Sequence, residues 1–383
     1  MSHRLVILTE IIAPYRIPVF NALAQQEGID LHVIFLAEND PTLRQWHTYK
    51  DEIRFSFQVL QSWRRRLGNY NALLNWGVSA ALRRASPDAV LCGGYNYIAS
   101  WQSMWWARRN HVPFFLWVES TAADFRRSNP LIESLKTNFL RRSSAFVVPG
   151  KSSFAYLRSH GAPEERIHTA PNAVDTEFFG QGAQKARDDA AALLQVLHLP
   201  ARYFLYVGRL IQEKGVFDLL HAYGALAPEL RAEIGLVFVG EGTARAELEK
   251  HAGAIVPGAV HFPGFVHREQ LPGYYALAEA LVFPTRSDPW GLVVNEAMAC
   301  SLPVISSSVA GCAADLVEDC WNGRVVRAGD ISQFAHAMNE LTCDAALRSL
   351  MGRRGRERIL RYSPEACAGG IAKAILSCEV PRD

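Results

Sequence analysis

The sequence predicts an α/β protein of two domains, each built on a doubly wound parallel sheet. Its 383 residues exceed what one ordinary core organises and suffice for two. Short β-branched apolar runs alternate with helical patterns along the whole chain, the signature of βαβ units, and the runs are apolar throughout, as in a parallel sheet covered on both faces. In the first half, strands are expected at Leu5 to Thr9, Asp30 to Leu36, Ala89 to Cys92, Phe114 to Val118 and Ala145 to Val148, with helices such as Ile17 to Gln26 and Tyr70 to Arg84 between them. In the second half, strands are expected at Tyr203 to Val207, Gly235 to Val239, Val260 to Phe262, Ala280 to Phe283 and Pro303 to Ser306. A polar, Ala-rich stretch ending in Pro200 reads as the linker. The expected division is residues 1–180, a linker at 181–200, and residues 201–362. The helical segment 363–383 is a candidate to pack back on the first domain. Two such sheets facing one another form a cleft at the carboxyl ends of their strands, where ligands bind in these folds.

With 49% hydrophobic and 20% charged residues, the chain is a folded globular protein, not a disordered or repetitive one. No apolar run approaches the ~18 to 20 residues of a membrane span. The N-terminus reads as a first strand closed by Glu10 rather than as a secretory signal, so a cytoplasmic location is expected. The seven cysteines, with no Cys-x-x-Cys pair, read as reduced, buried small residues rather than a zinc site. The basic excess lies early: residues 1–180 hold 20 Lys and Arg against 15 Asp and Glu, and the remainder 20 against 23. It comes beside aromatics, at Trp63-Arg64-Arg65-Arg66, at Trp105-Trp106 before Arg108-Arg109, and as the pairs Arg126-Arg127 and Arg141-Arg142. Such clusters suit anionic lipid headgroups or a phosphorylated acceptor, or are solvated helix faces. Nucleic-acid binding is not indicated.

Two segments carry chemistry. In Tyr206-Val207-Gly208-Arg209-Leu210-Ile211-Gln212-Glu213-Lys214-Gly215, a strand turns on glycine and a helix follows. Gly208 permits close backbone approach, and Arg209 and Lys214 can neutralise two phosphates near a helix N-terminus. A turn glycine and a solvated lysine would account for the same letters. The second segment runs from Ser287 through Asp288, Gly291, Leu292, Val293 and Glu296 to Ala297-Met298-Ala299-Cys300. Here Gly291 to Val293 offer backbone N–H groups at a helix start. Asp288 precedes that helix and Glu296 lies one turn inside it. A carboxylate accepts two hydroxyl hydrogen bonds at once, which suits a sugar or the cis hydroxyls of a ribose. A capping Asp and a surface Glu are the alternative.

Together these segments resemble the donor-binding half of the retaining glycosyltransferases of family 4, which have the two-domain GT-B fold. The family pattern of an acid, seven residues, then Glu-Ala-Met-Ala stands here as Asp288 and Glu296 to Ala299. Gly208-Arg209-Leu210 and Glu213-Lys214-Gly215 lie about 80 residues upstream. Gly240-Glu241-Gly242, Gly264-Phe265-Val266, Gly311 and Asn322-Gly323 agree. The resemblance implies that Arg209 and Lys214 bind the donor diphosphate in place of a metal, that Glu296 holds the ribose and that Asp288 holds the donor sugar. It implies further that Gly208, Val266, Gly291, Leu292 and Val293 contribute backbone contacts. Asp288 departs from the usual Glu by one methylene, which bears on sugar identity.

The first half departs more. Instead of a glycine-rich turn after the first strand it has Glu10 to Pro18, where Tyr15 and Arg16 face the cleft as donor-phosphate or acceptor contacts, or Arg16 merely starts a helix. Where many relatives carry a histidine after the fourth of these strands, this chain has Glu119. It is either an acceptor-side base or hydroxyl contact, or a satisfied structural acid. The implied activity is transfer of a sugar from a nucleoside diphosphate sugar, without metal or other cofactor, to a hydroxyl of a glycan or lipid-linked acceptor in cell-surface polysaccharide or lipid-linked oligosaccharide assembly. The arginine-tryptophan clusters separately suggest peripheral contact with the inner face of the cell membrane. A sugar-nucleotide epimerase or hydrolase, or a non-catalytic binding subunit, are the alternatives.

Overall fold

The computed structural model describes residues 2–40, 46–67, 70–124 and 130–378. The chain forms two compact units. The first comprises Met1–Ser120, Arg126–Val174 and Pro364–Asp383, and the second Thr121–Phe125 and Asp175–Ser363.

The first unit is a seven-stranded parallel sheet. Its strands are β1 (His3–Thr9), β2 (Ile29–Phe35), β3 (Ser56–Val59), β6 (Ala89–Cys92), β7 (Phe114–Trp117), β8 (Ala145–Val148) and β9 (Ile167–Thr169). They lie in the order β3-β2-β1-β6-β7-β8-β9. β6, β7 and β8 are buried at every residue, which is why they read as continuous apolar runs. The short edge strands β3 and β9 escaped sequence reasoning because they are partly exposed and lack that run. Between β3 and β6 lies an antiparallel hairpin of β4 (Ser62–Leu67) and β5 (Tyr70–Asn75), pairing Trp63 with Leu74 and Arg64 with Leu73. The helix expected over Tyr70 to Arg84 is therefore wrong in its first half, and the helix there is Val78–Ala85. The residues of β5 alternate, with Leu73 buried and Leu74 exposed, because β4 supplies a partner strand.

The C-terminal helix Pro364–Leu376 belongs to this first unit. Its Cys367, Ala368, Ile371 and Ile375 share a core with Ile17, Phe20 and Leu23 of the helix Ile17–Ala24 on one face of the sheet.

The second unit is a six-stranded parallel sheet of β10 (Tyr203–Val207), β11 (Gly235–Val239), β12 (Val260–Gly264), β13 (Ala280–Phe283), β14 (Val304–Ser307) and β15 (Gly323–Val326), in the order β12-β11-β10-β13-β14-β15. Residues 181–200, expected as a linker, lie instead largely in two helices of this unit, Thr176–Asp188 and Ala190–Val196. Asp175 caps the first through the Phe178 N–H at 2.8 Å. A Cβ on Gly182 would stand 2.7 Å from Pro272 Cβ, so this Ala-rich stretch is a packed helix rather than a tether. Four cysteines are buried, whereas Cys320 and Cys343 are exposed and Cys378 is intermediate.

Candidate active site

In the second unit, strand order reverses between β10 and β13, and both motif segments leave the carboxyl ends of those two strands, at the topological switch point. The loop after β10 holds Gly208, whose N–H reaches Val239 O at 3.0 Å, while Leu210 N–H reaches Glu241 O at 2.9 Å. A Cβ on Gly240 would stand 1.9 Å from Gly208 O. Glycine at 240 is thus required for the loops after β10 and β11 to lie against each other.

A single helical turn, Gln212–Lys214, then aims Lys214 across to the second segment. Its ammonium donates to Asp288 Oδ2 at 2.6 Å and to Ser287 O at 2.9 Å. Asp288 Oδ1 accepts the Trp290 N–H two residues on at 3.1 Å. This local turn suits a short acidic side chain and gives the departure from Glu a physical reason. The segment is clamped from behind, since Gly311 N–H donates to Asp288 O and Cys312 N–H to Trp290 O, each at 3.0 Å. A Cβ on Gly311 would stand 1.8 Å from Pro289 O.

Gly291, at φ +98°, turns the chain into the helix Leu292–Ala299, which has no side-chain cap. Its first-turn amides thus take no side-chain cap, while the Val294 N–H donates to Gly291 O at 2.9 Å. Glu296 accepts the Tyr275 hydroxyl on Oε2 at 2.5 Å. Burial raises the Glu296 pKa to about 7, against the lowering effect of that hydrogen bond. Arg209 is exposed, with its carbonyl held by the Tyr206 hydroxyl at 2.9 Å. Val266 is buried, so any ligand contact there is through its backbone. Tyr275, Ser287 and Trp290 were missed as site residues, since a buried tyrosine and two loop backbone groups carry no sequence mark.

In the first unit, Arg16, Glu119 and Asn172 are brought together from the carboxyl ends of β1, β7 and β9. Arg16 pairs with Glu119 Oε1, which also accepts Asn172 Nδ2 at 3.0 Å, while Arg16 donates to Asn172 Oδ1 at 3.3 Å. The guanidinium lies 4.0 Å from the Trp117 ring centroid and 5.6 Å from that of Tyr15. Glu119 is thus a partnered acid with a side chain 37% exposed, and Arg16 does more than start a helix. Asn172 was not singled out, because only the fold brings it to Glu119.

The basic clusters divide. Arg64 turns inward to Asp40 and Glu10. Arg65, Trp63, Trp76 and Trp105 are exposed, and Arg142 lies 5.4 Å from the Trp105 ring. Arg126, Arg127 and the side chain of Arg66 lie outside the described residues. Among the described residues, no helix is long and apolar enough to cross a membrane, and no group of three or more His, Cys, Asp or Glu is placed to hold a metal ion.

The family model for glycosyl transferases group 1 matches residues 196–358, and that for glycosyltransferase family 4 matches residues 20–178. An alpha-D-kanosaminyltransferase of Streptomyces kanamyceticus is 29% identical over 63% of this chain and 62% of its own length. The O-antigen chain mannosyltransferase B of Escherichia coli is 28% identical over 55% of this chain and 54% of its own. The chain thus spans under two thirds of the length of these curated relatives. The crystal structure of Anabaena Alr3699/HepE in complex with UDP and glucose superposes with a TM-score of 0.76 over 98% of this chain and 100% of that one, at 17% identity. Sucrose-phosphate synthase from Thermosynechococcus elongatus does so at 0.74 over 98% and 100%, at 21% identity. The fold is GT-B. With its two halves matched by these two models, the chain belongs to glycosyltransferase family 4, the glycosyl transferases group 1.

Proposed function

We propose that the protein is a retaining, metal-independent glycosyltransferase that moves a hexosyl group from a nucleoside diphosphate sugar to a hydroxyl of a glycan or lipid-linked acceptor. The observation that carries this reading is the Lys214–Asp288 contact at the switch point of the second unit. It sets a cation for the diphosphate beside a carboxylate for the sugar. Asp288 uses one hydrogen bond on each oxygen in the free protein and keeps lone pairs for sugar hydroxyls. Glu296 takes the ribose hydroxyls, and the uncapped amides from Gly291 onward take sugar or phosphate oxygens.

The glycosidic carbon–oxygen bond to the diphosphate breaks, and the acceptor oxygen bonds to the same carbon from the same face. The acceptor proton passes to the departing diphosphate oxygen. Lys214 and Arg209 stabilise the negative charge that develops there. Glu119, fixed by Arg16 and Asn172, accepts a hydrogen bond from the acceptor. The exposed Trp63 and Trp76, the former two residues before the exposed Arg65, and Trp105, with Arg142 over its ring, suit the interface of an anionic membrane on the cytoplasmic side. The glycosyl-transfer activities of the relatives and the UDP held by Anabaena Alr3699/HepE support a nucleotide-sugar donor.

The test is a thermal-shift panel of UDP- and GDP-sugars with EDTA, on wild type and Glu296→Ala. Ligand at ~100 times its dissociation constant adds about 2.7 kcal/mol to the unit that binds it. A shift in EDTA that the variant loses is expected. No shift with any nucleotide sugar overturns the donor site, and turnover without acceptor that yields an epimer or free sugar as the main product overturns the transferase.

A further inference from the structure

We propose that Arg286 and Asp218 are positioning residues that set Lys214 against Asp288, an inference that rests on the donor-site reading above. Lys214 ends a single helical turn, Gln212–Lys214, with Gly215 following at φ +69°. One turn of this kind has no ladder of its own, so its place is decided by what it is tied to. Beyond the bonds within the turn, from Lys214 N–H to Ile211 O and from Gly215 N–H to Gln212 O, it is tied to the residues leaving β13. Glu213 O accepts the Arg286 N–H at 2.9 Å and the Thr285 hydroxyl at 3.4 Å. The Thr285 hydroxyl also reaches Ser287 O at 2.9 Å. A Cβ on Gly215 would stand 2.1 Å from Pro284 O, so the two segments lie backbone on backbone.

Arg286 then clamps the same turn a second time. Its Nε donates to Asp218 Oδ2 at 2.7 Å and its Nη2 to Asp218 Oδ1 at 2.8 Å. Asp218 stands in the first turn of the helix Val216–Gly224, which begins directly after Gly215. One residue thus grips the chain just before Lys214 with its backbone and just after it with its side chain. Two positions further along, Asp288 receives the Lys214 ammonium. Asp218 is 7% exposed, and both its oxygens are engaged by the planar fork of a guanidinium. A lysine cannot reproduce that pairing. Neither residue touches the Lys214–Asp288 contact itself, so each acts through the turn. A displacement of about 1 Å at a reacting centre costs on the order of 100-fold in rate.

The test compares wild type, Arg286→Gln, Arg286→Lys, Asp218→Asn and Lys214→Ala. Hydrogen exchange of the free protein needs no donor. In Arg286→Gln and Asp218→Asn, amides 212–218 should exchange at least ~10-fold faster, with those of β10 and β13 unchanged. Unchanged exchange at 212–218 overturns the proposal. Turnover of UDP-glucose and GDP-mannose, followed by nucleoside diphosphate release, supplies the second readout. For whichever donor wild type uses, kcat should fall ~10-fold or more while donor KM stays within about threefold, and Arg286→Lys should not rescue it. Should Arg286→Gln fail to fold, Arg286→Lys and Asp218→Asn carry both readouts. If Lys214→Ala is inactive while Arg286→Gln and Asp218→Asn keep full kcat, the positioning role fails alone. Full activity in Lys214→Ala means that the donor-site reading has failed first.

Discussion

Lys214 Nζ donates to Asp288 Oδ2 at 2.6 Å although 74 residues separate them. The contact joins the loops after two neighbouring parallel strands, and each residue limits where the other can go. Lys214→Ala is therefore expected to lower turnover by ~100-fold or more, as removal of a preorganised charge at the leaving group does. Arg209→Ala should behave alike. Nucleoside diphosphate release under saturating donor measures both, and undiminished rates in the two variants would remove them from the site.

Glu296 gives a pH signature. Burial raises its pKa from 4.5 to about 7, so the native state holds this proton more tightly than the unfolded chain does. The associated stability is complete below about pH 4.5 and is lost as pH rises to about 7. Glu296→Gln, which keeps an acceptor for Tyr275, should gain ~1–3 kcal/mol on wild type between pH 4.5 and pH 8, after allowance for solvent screening. Urea unfolding at both pH values checks this. A difference that does not change with pH would be evidence against the buried-acid account. The same variant should bind nucleotide more weakly at pH 8, where wild-type Glu296 is ionised.

Gly311 is a steric prediction. Any Cβ there meets Pro289 O at 1.8 Å, so Gly311→Ala must push the 288–291 segment away. Nucleotide-sugar binding should be lost, with destabilisation of about 1–3 kcal/mol. Calorimetric titration with the donor that the panel identifies measures the first effect. Native affinity in the variant would mean that the clamp is dispensable.

In the first unit, Glu119→Gln should leave acceptor-free donor hydrolysis unchanged and slow transfer to acceptor by ~10-fold or more. Arg16→Leu should do the same and also destabilise the protein, because it leaves Glu119 without its charged partner. A double-mutant cycle on stability should give a coupling of about 1 kcal/mol or more between Arg16 and Glu119. Additive effects would reduce their pairing to a surface contact.

The hairpin of β4 and β5 supplies the membrane prediction. Trp63 and Leu74 are paired in register and are exposed together with Trp76. Replacing Trp63 and Trp76 by serine should lower retention on anionic vesicles by ~10-fold without altering donor binding. Failure of the wild-type protein to sediment with such vesicles would dispose of the membrane role.

Legibility followed burial. The central strands β6, β7, β8, β10, β11 and β13 could be read because they are buried at every position and nearly all apolar, as parallel strands covered on both faces are. β3, β9 and the hairpin could not, since each depends on a partner strand or lies at an edge. Residues 181–200 read as a linker because alanine and polar residues describe both a tether and a packed helix such as Thr176–Asp188. Its packing against Pro272 is invisible until the chain is folded. At the candidate site, Gly208, Lys214, Asp288 and Glu296 stand out in the sequence through their spacing, which resembles that of the family, and the fold sets Lys214 against Asp288.

By itself the sequence determined the α/β class, the two sheets and the residue types of the candidate site, because hydrophobic period and motif spacing are local properties. The tertiary structure alone decided which of those residues meet. It tied Lys214 to Asp288, buried Glu296 beside Tyr275, joined Arg16 to Glu119 and Asn172, and set Arg286 on Asp218. Each of these contacts joins loops or helices that are distant in the chain, and only the order of strands in the folded sheet brings them within hydrogen-bonding reach.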